Sequence, residues 1–74
     1  MNKKRKTEVT RIIGNLRQSL EDLEGVQGDE ESALDNIPEN LQGSQRYEDT
    51  EEALERIDDA VSSVQDAIEN LENI

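Results

Sequence analysis

The chain has 74 residues, 19 of them acidic and 8 basic for a formal net charge of −11, and it contains no Cys, His, Phe or Trp. This length suits one small domain, and below about 70–80 residues a single core rarely supplies more than roughly 3–5 kcal/mol without metal, disulfide or oligomerisation. The missing Cys and His remove disulfides, thiolate nucleophiles, the common zinc ligands and the commonest general base, and a single aromatic, Tyr47, cannot build a stacking platform for single-stranded nucleic acid.

The first six residues, MNKKRK, have the charge of a signal-peptide start, but no apolar stretch follows them. Nor does any apolar run reach the roughly 18 residues that a membrane span needs. The expectation is a cytoplasmic chain with a basic, disordered tail over 1–6 and a single domain over 7–74. Charge is polarised along the sequence. Residues 1–17 carry six bases (Lys3, Lys4, Arg5, Lys6, Arg11, Arg17) and one acid (Glu8), net +5. Residues 18–74 carry two bases (Arg46, Arg56) and eighteen acids, net −16. Such a field argues against direct nucleic-acid binding by the acidic body and favours a basic protein partner, although solubility alone also accounts for it.

Thr7 is the expected N-cap of a first helix, with Glu8 favourably placed in its first turn. Val9, Ile13, Leu16, Leu20 and Leu23 are spaced 4, 3, 4, 3, the heptad signature of a helix packed along a seam. Gly14, Gly25 and Gly28 each cost about 1 kcal/mol relative to Ala in a helix interior. The register nevertheless continues in phase through Gln27 and Glu30 to Leu34 and Ile37. The spacing therefore predicts one helix over about 7–36, weakened near 25–28. Ile12, Ser19, Val26 and Ala33 form a second column, seven apart, beside that seam.

The connection over 37–44 contains Pro38, which excludes Ile37 from the α region, then Gly43, which can take positive φ, and Ser44, a candidate N-cap. Asp49 with Glu52 offers a second start in capping-box spacing. A second helix over about 45–73 carries Tyr47, Leu54, Ile57, Val61, Val64, Ile68 and Leu71 at heptad spacing, with Ala53, Ala60 and Ala67 in a flanking column. Two helices of roughly 30 residues, about 45 Å each, joined by a short turn make an antiparallel neighbour pair. The fold class expected is all-α: a coiled-coil-like two-helix hairpin. Its stripes are wider than a two-stranded seam. They call for a cover, most simply a second copy completing a four-helix bundle; a partner protein, or an irregular third layer from residues 24–44, would also serve. The hairpin would set the basic N-terminal turn beside Glu69 and Glu72, where it suits the dipole of the second helix; a tail that touches nucleic acid or a partner is the alternative.

No pattern supports catalysis or a cofactor. GVQGDE lacks the Lys and Ser/Thr of a phosphate loop, and DEESALDN lacks the alternating spacing and sixth-position Gly of a calcium loop. Weak divalent binding at Asp29, Glu30, Glu31 and Asp35 competes with a plain solvated-charge reading. The best functional candidate is the acidic exterior of the second helix. Glu48, Glu52, Glu55, Asp59 and Asp66 form one outward row, flanked by Glu51, Asp58, Glu69 and Glu72. Residues three or four apart on a helix rise about 4.5–6 Å, comparable in scale to the charge spacing of one DNA strand. Such a face could occupy the nucleic-acid groove of a basic protein. It could equally be an ordinary solvated helix face. Tyr47 at the turn, with Ile37 and Leu41 near it, reads as packing, or with Arg46 as a recognition tip.

Asp35, Asn36, Pro38, Glu39, Leu41, Gln42, Ser44, Arg46 and Tyr47 lie in the segment 29–60, DEESALDNIPENLQGSQRYEDTEEALERIDDA. This segment resembles a group of small acidic helical-hairpin proteins of Gram-positive bacteria and their phages or mobile elements. The resemblance implies the hairpin fold and a mobile-element setting, and brings no activity or functional residues. The leading expectation is a non-enzymatic interaction module inhibiting a host nucleic-acid-binding factor, such as a CRISPR effector or other defence protein. A homodimerising structural or assembly protein is the second, and a regulator whose basic tail contacts nucleic acid the third.

Overall fold

The computed structural model spans residues 1–74 and is all-helical: α1 (Lys3–Asp35), a short 3-10 turn (Glu39–Leu41) and α2 (Gln45–Glu72). The two long helices pack antiparallel along each other as a hairpin, a rod with principal extents of 59 × 14 × 13 Å. An α-helix rises about 1.5 Å per residue, so α1 accounts for about 50 Å of that length.

Helix α1 begins four residues before the start expected from sequence. Asn2 is extended, and its side-chain oxygen accepts the Arg5 N–H at 2.8 Å. An Asn cap followed by four long basic residues, all good helix formers, makes a viable first turn. Residues 3–6 are therefore helical. Thr7 sits inside the helix, where its hydroxyl donates to the Lys3 carbonyl at 3.0 Å. The helix runs unbroken through Gly14, Gly25 and Gly28 to Asp35.

The chain leaves the helix at Asn36, whose N–H donates to the Ser32 and Leu34 carbonyls. Pro38 follows in an extended conformation (φ −55°, ψ 144°); its ring fixes φ, and its Cδ disfavours the α region at Ile37, where the helix has ended. The Leu41 N–H donates to the Pro38 carbonyl at 2.8 Å and tightens the turn. No glycine adopts positive φ, so Gly43 does not use the freedom expected of it. Ser44 caps α2, its hydroxyl oxygen accepting the Tyr47 N–H at 3.3 Å. Asp49 lies inside α2 and accepts from the Gln45 side-chain amide instead of starting a helix.

Only Ile37, Val61 and Ile68 are buried, each retaining 5–6% of its exposure. Around them lies a half-buried line. On α1 it comprises Val9, Ile13, Leu16, Leu20, Leu23, Gln27, Glu30 and Leu34, the continued 4, 3 register. On α2 it comprises Tyr47, Thr50, Leu54, Ile57, Val64 and Leu71. The core is thus a single seam between two helices with no second layer. Two polar contacts cross it: Arg17 donates to Glu72 at 2.5 Å, and the Gln27 side-chain amide donates to Asp58 at 2.6 Å. Both lie on the same edge of the hairpin. Writing the seam as heptad positions a and d, Arg17, Asp58 and Glu72 all occupy e. In an antiparallel pair e columns face each other and so do g columns. The opposite edge is therefore built from the g columns: Ile12, Ser19, Val26 and Ala33 of α1 beside Ala53, Ala60 and Ala67 of α2. All seven are exposed.

Candidate interaction surfaces

The acidic row of α2 stands on its solvent side. Glu48, Glu51, Glu52, Glu55, Asp59 and Asp66 are all exposed. Glu48, Glu52, Glu55, Asp59 and Asp66 occupy b and f positions, turned away from the seam because a and d fix which third of the helix meets α1, and Glu51 occupies e, on the edge it shares with Asp58 and Glu72. Only one of these acids is paired, Glu52, with Arg56 one turn on at 3.6 Å. Glu52, Glu55, Arg56 and Asp59 line an all-polar depression of about 350 Å³. Asp58 and Glu72 differ from the other acids. Although exposed, each is engaged across the hairpin, Asp58 with Gln27 and Glu72 with Arg17. Asp58 is therefore a register contact rather than a free member of the acidic surface.

The basic N-terminal turn is not neutralised in the way its charge suggests. Lys3, Lys4, Arg5, Lys6 and Arg11 form no ion pair; Arg17 with Glu72 is the sole bridge between the helices, and Glu69 receives no base. Near this end, Met1, Val9, Ile13, Leu71 and Ile74, with Lys6, Thr10 and Glu72, line a groove of about 360 Å³.

Asp29, Glu30, Glu31 and Asp35 do not converge, and no three acidic side chains stand close enough together to hold a metal ion. Every buried polar side-chain atom has a partner. Tyr47 is half-buried on the seam beside the turn, while Arg46 is exposed with its carbonyl accepting from Thr50. No helix is long and apolar enough to cross a membrane.

Thr50 belongs to the seam, although it is not apolar. Its signal is spacing alone, since it falls three residues after Tyr47 and four before Leu54. The Gln27–Asp58 bond has a similar origin: an amide at an a position faces a carboxylate at an e position.

No protein-family model matches the chain, and no curated protein or solved structure shows significant similarity to it.

Proposed function

We propose that the chain is a non-enzymatic protein-interaction module that engages a basic partner through the acidic face of α2. The supporting observation is the exposed carboxylate row Glu48, Glu52, Glu55, Asp59 and Asp66, of which only Glu52 has an ion-pair partner. From Glu48 to Asp59 neighbouring members rise about 4.5–6 Å, a spacing on the scale of backbone phosphates, and Asp66 follows about 10 Å further on. A groove lined with Lys and Arg to bind nucleic acid would accept it by the same electrostatics. The module would then act as an inhibitor by competing for that groove. The resemblance over residues 29–60 suggests the setting, a phage or mobile element acting on a host nucleic-acid-binding or defence protein.

The test is a competition measurement. Binding to a basic nucleic-acid enzyme should weaken as salt is raised and be displaced by DNA. The combined substitution Glu52→Gln, Glu55→Gln and Asp59→Gln should weaken it at least tenfold while leaving the helical content unchanged. Full binding by the triple variant would count decisively against an acidic-face mechanism.

A second reading, a structural protein assembling through its helices, is favoured by a different observation. Ile12 and Val26 are 40% and 50% exposed on the g edge, beside the alanine column. A four-helix bundle of two hairpins would cover them. Sedimentation of wild type and of the triple acidic variant as the same dimer, with no basic protein bound, would favour this reading.

A further inference from the structure

We infer that a second copy of this chain covers the apolar g edge head to tail, with α1 on α1 and α2 on α2 about a two-fold axis perpendicular to the rod. The inference deepens the assembly reading and is independent of the acidic face, because the outward row of α2 points away from this edge.

Three observations choose the occupant. The first is area. The protomer exposes 5619 Å². A compact monomer of 8.4 kDa exposes about 4,600 Å². The excess, about 1,000 Å², exceeds the roughly 800 Å² that each partner buries in a standard interface.

The second is charge. Residues 21–64, which form the turn half of the rod, carry fifteen acids and two bases, net −13. The remaining residues form the open half and carry six bases and four acids, net +2. A copy stacked turn to turn sets −13 against −13. A head-to-tail copy sets each acidic half against the mildly basic half of the other. Within α1 the match is sharper: its first turns hold the unpaired Lys3, Lys4, Arg5, Lys6 and Arg11, while residues 21–35 hold seven acids and no base. About the centre between positions 22 and 23, Arg11 comes level with Leu34 and Asp35, and Lys3–Lys6 come level with Glu39 in the turn, so the basic end of each copy meets the acidic turn end of the other.

The third is self-complementarity of the edge. Ile12 and Ala33 are equidistant from a centre between positions 22 and 23, as are Ser19 and Val26. The two-fold axis therefore sets each large side chain against a small one. On α2, Ala60 is the middle of its column, with Ala53 and Ala67 seven residues to either side. The Gln27–Asp58 contact places Ala60 within one helical turn of the same centre.

The chain contains no Cys, so engineered thiols report the arrangement without background. Wild type should sediment as a dimer at micromolar concentration. Ala60→Cys should crosslink to itself with a short bis-maleimide. Ala53→Cys and Ala67→Cys should each fail alone, since like residues there lie about 20 Å apart along the rod, but should crosslink when mixed. A monomeric wild type overturns the proposal, as does self-crosslinking of Ala53→Cys equal to that of Ala60→Cys. A monomer that still binds a basic protein through α2 would remove this dimer and leave the acidic-face reading standing.

Discussion

Gly14, Gly25 and Gly28 present open space: a Cβ built at any of them meets nothing within 4 Å. Each has ordinary negative φ in a helix that runs straight through it, so none is required by backbone geometry. Alanine at each position removes unfolded-state entropy and should stabilise the protein by about 0.5–1 kcal/mol, read as a higher urea midpoint at constant slope. A lower midpoint would mean that the chain uses the glycine for a contact outside the protomer. Ser44 works in the opposite direction. Its hydroxyl satisfies the Tyr47 N–H at the start of α2, and Ser44→Ala should cost about 1 kcal/mol in the same titration. The Arg17–Glu72 pair deserves less weight than its short distance suggests. The two side chains are 57% and 46% exposed, so solvent screens the pair to about 1 kcal/mol at most.

Each helix contributes one line of side chains, and the energetics of the hairpin reside where the two lines meet. Ile68 and Val61 are buried on α2, and the Arg17–Glu72 and Gln27–Asp58 contacts set an offset that brings them level with the Leu16–Leu23 stretch of the α1 seam. Ile68→Ala should cost about 2–3 kcal/mol, toward the low end for such truncations because a single-layer seam can partly collapse around the gap. Glu30 is the reverse case: an acid in a d position, half-buried, with no hydrogen-bond or ion-pair partner. Glu30→Leu should raise stability by about 1 kcal/mol, as a thermal melt would show; a fall would mean that Glu30 serves a register or partner role. The seam was legible in sequence because a period of 3.5 admits one face and excludes the others, even when polar residues occupy it. Gln27 and Glu30 are half-buried where the register puts them. The N-terminal boundary was less legible. Thr7 and Asn2 are both competent caps, and the choice depends on whether Lys3–Lys6 can hold a turn without charge relief. Position 43 misled for a related reason, since glycine permits positive φ without demanding it. The acidic row reads clearly from sequence as a helix face. Which of its members are engaged, as Asp58 is, depends on the offset between the helices.

At the scale of the whole rod, like charge acts against compactness. The −13 of the turn half is confined to a body only 14 × 13 Å in cross-section, so the acids of both helices repel at distances comparable to the screening length, about 10 Å at 0.1 M salt. Melting temperature should therefore rise with NaCl from low ionic strength. A melting temperature independent of salt would show that counterions or the head-to-tail copy already balance the field. If the dimer forms, the melt should also shift upward with protein concentration, by mass action. Gln27 and Glu30 interrupt the apolar seam at the same place where Gly25 and Gly28 lower the intrinsic helicity of α1. The seam consequently divides into two apolar stretches, Ile13–Leu23 with Val61–Leu71 and Leu34–Ile37 with Tyr47–Leu54, joined by a stretch held by Ile57 and the Gln27–Asp58 bond alone. Sub-global opening draws on such low-stability segments. Amides of residues 25–31 should exchange with deuterium faster than those on either side, so that, apart from the fraying termini, the first part of this rod to open lies inside the last third of its longer helix.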